Sequence, residues 1–210
     1  MMLGVSDPAA APTVPLILLG GASGSGKSYL AQHYGTPPLQ LDNFYRNIAE
    51  DQTHPMPRTA YGEIDWDHPG TWNCEAAVAA VQQLLSTGET SVPKYSIEQS
   101  TSFGRLRVRL QPGGRVVAEG VFARAALGAL REAGVPITAY YVDSPRLITS
   151  LLRFARDVRE HRKPIPFLLK RGLALFRADP AFRRAHLEAG FVPVPKRELK
   201  KILAGELPAR

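Results

Sequence analysis

Short apolar or β-branched runs, each stopped by Gly, Asp or Glu, recur along the chain and predict strands at 16–19, 39–41, 115–118 and 137–142. Between them apolar residues recur at helical spacing, as in Ala76, Ala80 and Leu84 or Leu147, Leu151, Phe154 and Val158. That spacing predicts helices at 27–33, 74–85, 122–133 and 145–160. Alternation of the two patterns argues an α/β fold, a three-layer sandwich with a mostly parallel sheet. Ligands of such sheets bind at the carboxyl ends of the strands, where the polar residues after each run fall.

Two segments break the alternation. The stretch from Tyr45 to Trp72 is too polar and proline-rich for a core strand, and "YSIEQSTSFGRLRVRLQPGG" alternates like a short hairpin. Both are expected as insertions over one edge of the sheet. Residues 1–14, with two prolines and no basic stretch, read as a disordered tail, leaving 15–210 as a single domain.

The stretch "GGASGSGKS" stands between the first strand and the first helix. Gly21, Gly26, Lys27 and Ser28 match G-x-x-x-x-G-K-[ST], the Walker A pattern, in the strand-to-helix context it requires. Glycines let the backbone curl so that successive N–H groups converge on phosphate oxygens, and the helix adds its positive N-terminal end. The loop as a whole, with Ser23, Gly24, Ser25 and Tyr29 beside those four, is expected to hold ATP. Lys27 would reach the β- and γ-phosphates and Ser28 would ligate Mg²⁺. The fold expected is thus that of a P-loop NTPase.

The formal net charge of +7 suggests an anionic partner, and the excess lies between Arg146 and Arg184 rather than in a tail. Cys74 is the only cysteine, so no intramolecular disulfide forms and a cytoplasmic location is the default expectation. No apolar run is long enough to cross a bilayer, and no membrane partner is expected.

Asp42 ends the second predicted strand, which in a parallel sheet places it beside the phosphate loop. A carboxylate there can take a proton from an attacking hydroxyl or hold a magnesium-bound water. "LDNFYR", with Asp42, Phe44 and Tyr45, resembles the D-x-F-Y segment of the uridine kinase family, relatives of phosphoribulokinase and pantothenate kinase among P-loop small-molecule kinases. "DWDHPGTWN" resembles that family's F-D-H-P-D-A-F-D segment, through Asp67, His68, Pro69 and Trp72. "VVAEGVF" is similar to its V-I-x-E-G-I strand and places Glu119. "YVDSPRLITSLLRFARDVREHRK" is similar to its arginine-bearing lid, with Asp143, Arg153, Arg156 and Asp157 in matching places. The resemblance runs from about Leu16 to Lys163.

It implies Asp42 as catalytic base, Glu119 with Ser28 and Asp42 near Mg²⁺, and Arg153 and Arg156 on a lid at about 145–165. Asp67, Tyr45, His68 and Tyr95 would then contact the acceptor. Phosphoryl transfer asks for in-line positioning and cations around the migrating group, which Lys27, Mg²⁺ and the lid arginines would supply.

The pattern departs from the family in one place that touches the base and ribose. "PKYSIEQSTS" keeps Pro93 and Tyr95 but has Ser96, Ile97, Ser100 and Ser102 where the family has Asp, Phe, His and Arg. The acceptor therefore stays open between a nucleoside such as uridine or cytidine, another sugar-like molecule, a phosphosugar and a vitamin precursor. A different class of reading is a nucleotide-binding regulatory or nucleic-acid-associated protein that has lost the acceptor site. The retention of Asp42, Asp67 and Glu119 together and the few aromatics among the arginines speak against it, so no nucleic acid is expected. From about 165 to 190 a helical extension is expected, with Phe167, Leu168, Leu175 and Phe176 packing on the sheet or on a second copy in a homo-oligomer.

Overall fold

The computed structural model describes residues 15–59, 62–159 and 165–208. The expected tail at 1–14 and the stretch 160–164 of the expected lid lie outside the described residues, as do the side chains at 166, 167, 170 and 171.

The predicted strands form as β1 (Leu16–Gly20), β2 (Pro38–Gln40), β5 (Val116–Glu119) and β6 (Ile137–Asp143). With β7 (Val192–Pro195) they make a five-stranded sheet in the order β2-β5-β1-β6-β7, parallel throughout. All five residues of β1 are buried, as a central strand covered on both faces requires.

Helices cover both faces. The face carrying α2 (Cys74–Thr87), α3 (Ala123–Glu132) and the end of α5 (Ile165–Glu188) packs around Leu16, Leu18, Ala118, Leu127 and Phe191. The opposite face carries α1 (Lys27–Tyr34) and α6 (Lys196–Ala204) over Ile17, Leu19, Val142, Leu199 and Leu203. The α/β three-layer expectation thus holds. Asn73 caps α2 by accepting the Ala76 N–H at 3.0 Å, and Gly88 closes it in the left-handed conformation at φ 77°.

A second, two-stranded antiparallel sheet pairs β3 (Glu89–Ser96) with β4 (Thr101–Arg109). The hairpin predicted from Tyr95 onward therefore begins earlier, at Glu89. Pro93 interrupts the alternation of its first strand, and the pairing shifts register between Pro93 and Tyr95.

Neither β7 nor α6 was predicted from the sequence pattern. "VPVP" carries two prolines, which a central strand excludes, but β7 pairs only with β6, at the edge. With alternate residues facing opposite ways, Val192 and Val194 serve the ladder while Pro193 and Pro195 present their missing N–H groups to the open side.

Between β6 and α5, helix α4 (Arg146–Arg159) lies across the loop after β1. A Cβ on Gly24 would stand 2.5 Å from the Thr149 carbonyl oxygen, an approach that only glycine permits.

Candidate active site

Register sets the site. Leu19 and Gln40 both lie opposite Glu119, so β1, β2 and β5 end at one level and release their next residues side by side. After β1 comes the phosphate loop, after β2 a tight 3-10 turn at Leu41–Phe44 bearing Asp42, and after β5 the Gly120–Val121 step. A cleft of about 1070 Å³ opens there, lined by Gly21, Ser23, Gly24, Gly26, Lys27, Ser28, Asp42, Tyr45, Asp67, Tyr95, Glu119, Arg153 and Arg156.

The Lys27 ammonium is held inside the loop, donating to the carbonyls of Gly21 at 2.7 Å and Ala22 at 3.1 Å. Burial lowers its pKa, while the carboxylates of Glu119 and Asp42 pull the other way and the Arg156 guanidinium lowers it further. Gly26 enters α1 in the left-handed conformation at φ 92°, and α1 offers unpaired N–H groups in its first turn.

Burial raises the pKa of Glu119, with Lys27 and a hydrogen bond to Ser28 acting against it and Asp42 adding to it. The Ser28 hydroxyl and Glu119 carboxylate are thus already paired. Together they offer the hard oxygen donors that Mg²⁺ takes when it bridges a protein and phosphate groups, and the donor set fits the ion. Burial likewise raises Asp42, against the opposing pull of the Val121 N–H and Lys27. Trp72 fixes the turn below it by donating its indole N–H to the Leu41 carbonyl at 2.8 Å.

On the open side Tyr45 is the hub of an aromatic wall. Its ring stacks on Tyr95 at 5.5 Å and meets Phe122 and Trp66 edge-on, and its hydroxyl donates to the Trp66 carbonyl at 3.1 Å. The Tyr95 hydroxyl donates to the Arg46 carbonyl, and burial pushes its pKa up to about 12. Asn47 pins the hairpin to this wall by accepting the Ser102 N–H at 2.6 Å.

Above the loop, α4 turns Thr149 and Arg153 inward, both buried, and Arg156 reaches Ser23 Oγ at 3.4 Å while pairing with Asp157 at 2.8 Å. The lid arginines therefore lie over the phosphate loop.

Three expected residues stand apart from the cleft wall. Ser25 is buried under the loop, within 3.1 Å of where a Gly21 Cβ would be. The Tyr29 ring stacks on His33 at 5.3 Å and carries the Lys196 and Lys200 ammonium groups on its face. His68 is exposed and spends Nδ1 on the Gly70 N–H at 3.0 Å, capping the turn that follows.

The sequence did not show that α5 lines the cleft, through Leu168, Leu175, Ala178, Asp179, Phe182 and His186, nor that Asn43, Trp66, Phe122 and Arg124 do. Asp179 binds Arg146 of α4 at 3.4 Å and Arg183 binds Asp143 at 2.8 Å, so α5 braces both the lid and the end of β6. The apolar spacing of Leu168 and Leu175 was the available signal; it marked a buried face without saying what it faced.

No family model matches the chain. Among curated proteins it is 29% identical over 155 residues to a uridine kinase of Saccharomyces cerevisiae, a match covering 70% of this chain and 30% of the yeast protein. It is 27% identical over 168 residues to a uridine kinase of Aeromonas hydrophila, covering 74% of this chain and 73% of that one. Among solved structures it superposes on a protein described as a fructose transport system kinase from Silicibacter sp. with a TM-score of 0.56 and 17% identity, over 90% of this chain and 93% of the other. In sequence the chain is thus similar to uridine kinases, and its fold is similar to that of P-loop kinases.

Proposed function

We propose that the protein transfers the γ-phosphoryl group of ATP to a hydroxyl of a small molecule, a nucleoside or another sugar-like acceptor. The observation that carries this reading is the convergence of Lys27, Ser28, Asp42, Glu119 and Arg156 on one cleft whose far wall is aromatic. The names of the similar proteins point the same way.

In this reading the loop N–H groups and Lys27 hold the β- and γ-phosphates, and Arg153 and Arg156 reach the migrating group from the lid. Ser28 and Glu119 would hold Mg²⁺, which when bound would supply positive charge to the triphosphate. Asp42 takes the proton from the acceptor hydroxyl; its raised pKa brings it closer to the proton it must accept. Tyr45, Trp66, Tyr95 and Phe122 offer ring faces to the acceptor, and Asp67 offers a carboxylate to its other hydroxyls. The residues at Ser96, Ile97, Ser100 and Ser102 supply none of the charged or imidazole groups that the uridine kinase pattern has there, so an acceptor other than uridine suits this wall.

The test is release of ADP from MgATP across nucleosides, sugars, phosphosugars and vitamin precursors. Acceptor-stimulated release is the expected result and names the substrate. ATP binding with no stimulation by any acceptor would overturn it in favour of a regulatory nucleotide-binding protein.

A further inference from the structure

A surface helix ordinarily turns its apolar stripe inward and its charges outward. Helix α4 does the reverse. Its polar side, with Thr149 and Arg153 buried and Arg156 on Ser23, faces the phosphate loop. Its other side leaves Leu147 67%, Ile148 51%, Leu151 68% and Leu152 53% exposed. The helix packed against it repeats the pattern, with Ile165, Leu169 and Leu173 of α5 each more than half exposed at i, i+4 spacing. Both stripes continue at that spacing into an arginine, Leu147–Leu151–Ala155–Arg159 in α4 and Ile165–Leu169–Leu173–Arg177 in α5.

Seven large aliphatic side chains exposed on two adjoining helices exceed what a solvated surface ordinarily carries and mark a place of contact. Charge says with what. On the exposed side of the two helices Arg159, Arg177 and Arg184 stand against one exposed carboxylate, Glu188, so the charge beside the aliphatic stripes is positive. A second copy docked through the same face would bring two such surfaces together, like charge against like. Nucleic acid would leave the aliphatic side chains without a partner. An anionic lipid surface takes both: leucine and isoleucine enter the headgroup boundary and the flanking basic residues meet the acidic headgroups. The contact would be peripheral, since no described helix is long and apolar enough to cross a membrane.

We propose that the outer face of α4 and α5 docks on an anionic bilayer surface, with the cleft on the other side of α4. This inference stands apart from the kinase reading. It is tested by co-sedimenting the full chain with vesicles of phosphatidylcholine alone or with about one third phosphatidylserine. We expect binding to the anionic vesicles at least about tenfold tighter than to the neutral ones, and weakened as salt rises from about 0.1 M to about 0.5 M. Leu151→Asp combined with Leu169→Asp should lower vesicle affinity at least about tenfold while ATP affinity, which reports the fold, stays within about twofold. If that pair impairs folding, Arg177→Glu with Arg184→Glu, both exposed, tests the same surface through its charge. Wild-type protein that ignores anionic vesicles overturns the proposal. So does vesicle binding that both variants leave unchanged. Concentration-dependent dimers that Leu151→Asp dissolves, without vesicle binding, would assign the face to a second copy instead.

Discussion

Asp42 Oδ1 accepts the Val121 backbone N–H at 2.8 Å, tying the turn after β2 to the loop after β5. The bond uses one carboxylate oxygen for positioning and leaves the other for chemistry. An Asn side chain can keep that bond through its carbonyl oxygen but cannot take a proton. Asp42→Asn should therefore lower phosphoryl transfer by about two to four orders of magnitude, the usual contribution of a general base, with ATP affinity changed less than about threefold. Turnover beside nucleotide binding checks it; near-normal turnover would remove Asp42 from the role.

Gly120 allows that bond to form. A Cβ on it would stand 2.8 Å from Asp42 Oδ1 and 2.9 Å from Leu41 Cβ. Since Gly120 does not have a left-handed φ, Ala meets no backbone objection there and the cost falls on the neighbours. Gly120→Ala should displace the Asp42 carboxylate and cut transfer at least about tenfold, because small misplacements of reacting groups are expensive. Melting temperature should drop only slightly. A large loss of stability with turnover per folded molecule unchanged would show that the clash is relieved elsewhere.

Trp72 lies 31 residues from Leu41 and holds its carbonyl by a buried indole N–H bond at 2.8 Å. Trp72→Phe fills most of the space and leaves the carbonyl without this donor. A cost of roughly 1–3 kcal/mol is expected by chemical denaturation. For contrast, Arg183→Met breaks an ion pair whose side chains are 39% and 35% exposed, and should cost less than about 1 kcal/mol. Equal costs would mean that the indole bond is not what holds the turn.

Sequence spacing made the level of the candidate site in the fold legible because it was local. The glycine-lysine-serine loop, Asp42 and Glu119 each follow a short apolar run, and parallel strands bring such positions to one edge whatever the topology between them. What the spacing could not give was the far wall. Leu168 and Leu175 read only as apolar positions of an amphipathic helix, Phe182 was not singled out, and the place of all three depends on α5 crossing back to brace α4 through Asp179 and Arg146. The ring of Tyr29 and the imidazole of His68 were each one residue from the functional backbone, and local packing turned them elsewhere. Pro193 and Pro195 hid β7, since a pattern does not say whether a strand lies at an edge.

Stability should record the cost of the Asp42 charge. Burial raises its folded-state pKa above the ordinary 3.8 even with the Lys27 attraction included, so the folded state holds the proton over a range where the unfolded chain has lost it. Its contribution is fully present below pH 3.8 and is lost as pH rises through the raised value. Asp42→Asn abolishes that loss. The variant should melt roughly 2–4 °C above wild type at pH 8, about the shift that 1 kcal/mol produces in a chain of this size, with the gap closing toward pH 4. A gap independent of pH would assign the effect to packing rather than to charge.

His186 works with the opposite sign. It is 1% exposed, ringed by Phe182 at 4.3 Å, Phe191 at 5.1 Å and Tyr141 at 5.4 Å. Nδ1 lies 2.9 Å from the Phe182 carbonyl, an acceptor only, so the neutral ring carries its proton there and Nε2 is left as a lone pair without a partner among the described residues. Burial lowers its pKa below the ordinary 6.5, and the nearby charges of Arg124 and Lys27 lower it further while the Phe182 bond resists. The unfolded chain then binds a proton that the folded one refuses, so stability is full above pH 6.5 and falls as pH drops toward the lowered value. His186→Leu keeps an apolar side chain of similar volume in the ring cluster and removes the titration. Between about pH 7.5 and about pH 5.5 the variant should lose at least about 2 °C less in melting temperature than wild type. Parallel melting curves for the two across that range would show that His186 takes its proton as readily folded as unfolded.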